Sequence, residues 1–368
     1  MDLGLLRPLY KTTAPVASVS LDTTLAVENA PREIKLRWRG LRERLAGEGA
    51  DEATLQALDD AVGGAPGVPG PQGEALFASE GRILAAYTLS RPPLRDRASW
   101  LPVVDPLDLV ADRNRQLPYV VVAADREGAD VDAYSADRHD PVSKRSFSGS
   151  TLHIQKVRVG GWSHKHYQRR SEELWDDNAA GVAQDVEAAV ADVGAELVFV
   201  GGDERAIGKL RDHLGKSVLD IVVELPTGGR SDHAALTSLR ESVDRALEVA
   251  VAQSHAQVLT RFTSDLKRGG AVEGVSMTAE ALRRSQVETL LLTTGRNDEP
   301  RVWASPTDPL EVSSERHRLT DPDSAFAGPA SALLLRAAVL SDAGFAELPD
   351  ASRAAEGTGA VLRFTVAD

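Results

Sequence analysis

Between Val142 and Ser171 the chain carries Lys144, Arg145, Lys156, Arg158, Lys165, Arg169 and Arg170, with His153, His164 and His166, and not one Asp or Glu. Cationic side chains at that density neutralise phosphate charge and bind nucleic-acid backbones. The other reading is a solvated loop paired to neighbouring acids such as Glu172 and Glu173. In the middle of the stretch stands Gly160-Gly161-Trp162. Glycines let a backbone approach a partner closely, and an indole can stack on a base. His164 and His166 are two residues apart, so on a helix they diverge and do not share a metal. Structural or RNA-contacting roles suit them better. Asp125 ends an apolar run where a nuclease of the ribonuclease-H type would want a carboxylate, but that chemistry needs several carboxylates around two metals, and no such set can be assigned. Gly201-Gly202-Asp203, between a strand and a helix, offers backbone N–H groups to an anion or simply makes a tight turn. There is no P-loop, no G-x-G-x-x-G after a strand, no G-x-S-x-G and no H-E-x-x-H.

The background of this basic stretch is acidic. The 368 residues include 42 Lys plus Arg against 55 Asp plus Glu, a formal net charge of −13. A basic island on such a chain serves a local purpose, and the acidic remainder limits indiscriminate binding to nucleic acid. Hydrophobic residues make up 42% and charged residues 26%, an ordinary globular mix. There is no cysteine, which removes disulfides, thiol nucleophiles, thiolate zinc sites and iron–sulfur clusters. Met1 to Thr13 has no apolar signal core, and no run approaches the ~18 apolar residues of a membrane span. The expectation is a cytoplasmic protein with no cofactor and no membrane partner.

The elements that must position the basic stretch follow from periodicity. A first strand lies around Ser18–Leu21. Ile34, Trp38, Leu41 and Leu45 recur at helical spacing, and the same helix carries Arg37, Arg39 and Arg42, a basic outer face that is either a snorkelling surface or a binding face. A second helix covers Glu52 to Val62. The Gly/Pro run from Gly63 to Gly70 reads as a loop, and 74–77 with Arg82–Leu89 as a hairpin. A new unit opens at Pro118 with the buried strand 119–124 and a return strand Val131–Tyr134. Strand Leu152–Val159 then runs into Gly160-Gly161, a long helix spans 164–193, and strand 196–200, helix 204–214 and strand Val218–Val223 follow. This alternation predicts an α/β layer with some parallel pairing. A long helix from 232 to 267, helix 278–286, strand 288–293, helix 333–343 and a last strand 359–366 complete the chain. The reading gives an N-terminal α/β domain (1–115), a central α/β domain (116–255) and a C-terminal α/β/α domain (256–368).

The order of parts from residue 118 onward resembles the central and last domains of the archaeal and eukaryotic class-one release factors and of the ribosome-rescue factor Pelota. In release factors a Gly-Gly-Gln loop lies between a basic strand and a long helix; here that place reads Val159-Gly160-Gly161-Trp162-Ser163-His164-Lys165-His166-Tyr167-Gln168-Arg169-Arg170. Gln286-Val287-Glu288-Thr289-Leu290-Leu291-Leu292 and Gly357-Thr358-Gly359-Ala360-Val361-Leu362-Arg363-Phe364 are similar to the family's entering and closing strands in its third domain. Residues 1–115 do not match the family's codon-reading domain. The resemblance implies a ribonuclease-H-like central fold, a C-terminal α/β/α sandwich, and a partner in the ribosome: its A site, decoding centre, peptidyl-transferase centre and ribosomal RNA. The contacting residues would be Lys156, Arg158, Gly160, Gly161, Trp162, His164, Lys165, His166, Arg169 and Arg170, with Arg37, Arg39 and Arg42 from the N-terminal domain.

The departure is Trp162. The family's glutamine helps place the water that cleaves peptidyl-tRNA, whereas an indole is a hydrogen-bond donor only. A chain with this loop is similar to the bacterial release-factor-like group that includes the ribosome hibernation factor Balon. That similarity implies occupation of an idle ribosome's A site without catalysis, elongation factor Tu as a possible companion, and a monomer off the ribosome. The alternative is a peptidyl-tRNA hydrolase or rescue factor, with Gln168 as a substitute for the missing glutamine.

Overall fold

The computed structural model describes residues 1–25, 29–64, 71–125, 127–135, 142–148, 163–230, 233–295 and 298–364. Contacts gather the chain into two compact units, Met1–Arg115 with Ser254–Asp368, and Gln116–Gln253.

The first unit opens with β1 (Val16–Asp22), α1 (Ala30–Gly47), α2 (Glu52–Ala61), β2 (Gly73–Ser79), β3 (Arg82–Leu89), β4 (Arg97–Leu101) and α3 (Leu107–Asn114). Helix α1 buries Ile34, Trp38, Leu41 and Leu45 as the spacing predicts, and the Trp38 Nε1 donates to Asp59 at 2.7 Å. Asp51 starts α2 by accepting from the Thr54 N–H, an N-cap that satisfies a free helix donor. The strands form an antiparallel sheet in the order β3-β2-β1-β4. Every residue of β2 is buried, so that strand is covered on both faces. Leu76 and Ala78 pack with α1 and α2 residues, and Ala75 and Phe77 join a second core.

The second unit contains β5 (Tyr119–Ala124), β6 (Gly128–Tyr134), β7 (Ser143–Ser148), α4 (Ser163–Val193), β8 (Leu197–Gly202), α5 (Glu204–His213), α6 (Lys216–Leu219), β9 (Val222–Glu224) and the start of α7 (His233–Leu266). The sheet order is β7-β6-β5-β8-β9, antiparallel from β7 to β5 and parallel from β5 to β9. Alternation along β5 sends Val120 and Val122 into a core with Val182, Val186 and Ala189 of α4 and Ile207 and Leu210 of α5. On the opposite face Tyr119 stacks on Tyr134 at 4.6 Å and meets Phe199 edge-on at 5.8 Å. The predicted strand Val218–Val223 is corrected. Its first residues form α6, entered from Gly215 with Val218 buried, and only β9 extends, as a short edge strand of the kind that limits unwanted pairing.

The remainder returns to the first unit as β10 (Ala271–Glu273), α8 (Val275–Arg283), β11 (Val287–Thr293), β12 (Arg301–Ala304), β13 (Val312–Ser313), β14 (Phe326–Pro329), α9 (Ala330–Leu340), β15 (Gly344–Leu348) and β16 (Thr358–Leu362). One sheet runs β10-β16-β11-β15 and another β13-β12-β14. Helix α9 is buried at all positions from Ala330 to Val339, as expected of a helix that is apolar nearly all round, and its one charge, Arg336, donates to the Ser305 carbonyl oxygen at 3.1 Å. Leu6, Phe77 and Leu107 share one core with Leu282, Leu290, Leu334 and Phe345, so the two ends of the sequence build a single interior.

Candidate RNA interface

The basic stretch enters the second unit through β7. Asp132 of β6 stands opposite Lys144; burial holds the Asp132 carboxyl above its usual range and the Lys144 charge partly offsets this. Arg145 donates to Asp192 at 2.6 Å and lies 3.7 Å from Asp185, two acids of α4. These pairs tie the edge strand to the helix, and so fix both elements that bound the central part of the stretch. Lys156, Arg158, Gly160, Gly161 and Trp162, and the predicted strand Leu152–Val159, lie outside the described residues. Helix α4 begins directly after them at Ser163, which puts His164, Lys165, His166, Arg169 and Arg170 on its opening turns, with Gln168 among them. On a helix Lys165 and Arg169 are one turn apart, as are His166 and Arg170.

Helix α4 is anchored from Asn178 onward, where Asn178, Ala179, Val182 and Ala183 are buried. Asp176 accepts from Lys209 of α5 at 2.8 Å and lies 3.3 Å from His213. The Lys209 hydrogen bond and the neighbouring His213 imidazole hold its carboxyl below the usual range. The basic opening turns therefore precede, in sequence, a segment fixed by apolar burial and by ion pairs. A helix start also exposes N–H groups at the positive end of its dipole, which favours phosphate.

Two other candidates resolve into structure. Asp125 accepts from the Glu127 and Gly128 N–H groups and pairs with Arg230 at 3.2 Å, so it shapes the hairpin turn. Among the described residues no cluster of His, Asp and Glu could hold a metal ion. At Gly201-Gly202-Asp203 the turn reading holds: Gly202 has φ +139°, and a Cβ there would sit 1.8 Å from the Ala124 carbonyl oxygen. Asp203 caps α5 through the Arg205 and Ala206 N–H groups, which occupies donors an anion would need.

In the first unit the α1 arginines divide. Arg37 lies 3.4 Å from both Asp22 and Glu33 and 3.6 Å from Asp96. Arg42 pairs with Asp59 at 3.1 Å and Glu52 at 2.5 Å, which holds its guanidinium charged more firmly still. Arg39 is exposed and makes no ion pair among the described residues. The outward basic face is thus Arg39 with exposed Arg32 and Lys35, while Arg37 and Arg42 are half-buried and neutralised by acids.

The mixed five-stranded sheet, covered by a long helix that follows a basic glycine-containing segment, is an α/β unit. Residues 118–268 match the model of the family described as bacterial archaeo-eukaryotic release factor family 2. The chain is 29% identical over 299 residues to the uncharacterized protein Rv2629 of Mycobacterium tuberculosis, covering 78% of this chain and 77% of that protein. Among solved structures it is similar to the archaeal translation termination factor aRF1, at 18% identity over 98% of this chain and 96% of that one, with a TM-score of 0.26. It is also similar to ribosome-bound archaeal Pelota, described together with ABCE1, at 14% identity over 100% and 96% of the two chains, with a TM-score of 0.40.

Proposed function

We propose that this protein is a ribosome-binding translation factor that occupies the A site of idle ribosomes without releasing peptide. The observation that carries the reading is the family match over 118–268, joined to a loop in which Trp162 stands where release factors carry the water-positioning glutamine. Gly160 and Gly161 leave the backbone free to approach RNA. Lys156, Arg158, Lys165, Arg169 and Arg170 neutralise phosphate, and Trp162 stacks on a base near the peptidyl-transferase centre. An indole N–H has no acceptor to orient a nucleophilic water, so the loop protects and blocks rather than catalyses. Elongation factor Tu is the companion this reading suggests.

Two measurements test it. The full chain should sediment with vacant ribosomes, and Trp162→Ala should weaken that binding by about 1–3 kcal/mol, the worth of one stacked base. Peptide release from programmed ribosomes should stay at background at saturating protein. Release well above background that disappears in Gln168→Ala would establish the hydrolase reading instead.

A further inference from the structure

A concave surface of the first unit carries positive charge with no assigned use. A groove of about 550 Å3 is lined by Leu259, Thr260, Thr263, Ser264, Lys267, Arg268 and Arg353, with no acid among them. On a chain of net charge −13, an acid-free concavity with three cations is an unusual local composition. Lys267, Arg268 and Arg353 are exposed and make no side-chain ion pair among the described residues. Of the acids nearest in sequence, Asp265 lies 3.4 Å from Arg261, and Asp350 accepts from the Ser352 N–H at 2.9 Å and hydroxyl at 2.8 Å, feeling the Arg353 charge without forming an ion pair with it.

Cations at the end of a helix also complement its dipole, and that would account for Lys267 and Arg268 at the close of α7. It does not account for Arg353, which arrives from the segment between β15 and β16 to face the same groove. Thr260 gives its hydroxyl proton to the Ala256 carbonyl at 2.8 Å, while Thr263 and Ser264 keep theirs. Three cations and two free hydroxyl donors suit phosphate oxygens. Leu259 is the sole apolar residue of the lining and no aromatic ring is present, so nothing there would hold a base or a mononucleotide's ring. The chemistry fits successive phosphodiesters of an RNA strand passing across an open groove.

We propose that this groove is a second RNA-backbone site, built by the first unit and separate from the basic stretch of the second. It rests on the reading of the chain as an RNA-binding protein but not on the A-site role. The test is fluorescence anisotropy with the full chain and a fluorescein-labelled 20-nucleotide polyuridine probe across a salt series. The triple change Lys267→Gln, Arg268→Gln, Arg353→Gln should weaken binding tenfold or more at low salt. It should lower the log–log salt slope by about 2, as three single-strand phosphate contacts imply. The charge-keeping set Lys267→Arg, Arg268→Lys, Arg353→Lys should bind nearly as the parent does, which separates lost charge from lost fold. An unchanged slope in the triple variant, or no binding by the parent, overturns the proposal. Competition by millimolar inorganic phosphate would mark a small-anion site, and equal competition by polyglutamate an acidic-protein site; either overturns it too. Sedimentation with ribosomes is read separately: a parent that binds the probe through the groove yet does not sediment leaves the groove standing and removes the A-site reading.

Discussion

Arg97 lies 3.0 Å from Asp108 and 4.0 Å from Asp105, with Glu299 within electrostatic reach, so carboxylates outnumber the cation they share. Burial pushes the Asp108 and Glu299 carboxyls above their usual range, against the pull of Arg97. The Asp105 Oδ1 is buried without a hydrogen-bond partner, an arrangement that costs free energy. A carboxyl raised in the folded state contributes stability that is complete below its unfolded pKa, near 4.3 for Glu, and that is lost as pH climbs through the raised folded value. Glu299→Gln removes this loss, keeps an acceptor for the Ser331 N–H that Glu299 now binds at 2.8 Å, and brings donors toward Asp105. The variant should be more stable than the parent by about 1 kcal/mol at pH 7, a shift of a few degrees in melting temperature. The difference should vanish near pH 4; a constant difference across the range would disprove this account. None of this was legible in the sequence, because Arg97, Asp105, Asp108 and Glu299 meet only through tertiary folding.

At the scale of elements, α4 is the part whose placement matters most. Its opening turns carry Arg169 and Arg170, and its later turns are fixed by Val182, Val186 and Ala189. Replacing both arginines by Glu should weaken ribosome binding strongly and flatten its salt dependence, since each lost phosphate contact removes close to one counterion from the slope. Thermal stability should not fall, because the substitutions lie before the buried segment. Equal affinity and slope would remove the basic stretch from the interface. Helix α4 could be read from the sequence, as could α1, the hairpin of β2 and β3, and β5 with its return strand β6, because each is long, strongly periodic or bounded by turn residues. The short elements were not: α3, β4, β10 and the strands β12 to β15 derive their order from partners distant in sequence. The same reason hid α6, whose Val218 reads as strand until the core it enters is known. Of the interface, the residue types and their order were legible, whereas the neutralisation of Arg37 and Arg42 depends on Asp22, Asp96, Glu52 and Asp59, most of them brought close only by the fold. The groove cations Lys267, Arg268 and Arg353 escaped for a related cause, since 267 and 353 come together only when β10 and β16 pair.

At the scale of the whole molecule, one unit is continuous in sequence and the other is assembled from the two ends of the chain. Residues 116–253 contain all the strands of their own sheet. By contrast, β2 is buried along its length, with Phe77 and Ala75 covered by a core that includes Leu333, Leu334 and Phe345.

That division sets a timetable for biosynthesis. A ribosome delivers β1 to β4 first, yet the residues that cover one face of that sheet are made last. Domains generally fold as they emerge, so the central unit should complete itself while the N-terminal sheet still shows Ala75, Phe77 and Leu89 to solvent or to a chaperone. Nascent chains arrested far enough past Gln253 for that residue to have cleared the exit tunnel should resist protease across 116–253 and be cut readily within 1–115. Full protection of the N-terminal part should appear only when α9 and β15 have left the exit tunnel. Early protection of 1–115 would show that its sheet is stable with one face bare. The interval between the two events is a window for aggregation, and its length is set by how fast the last hundred or so residues are translated.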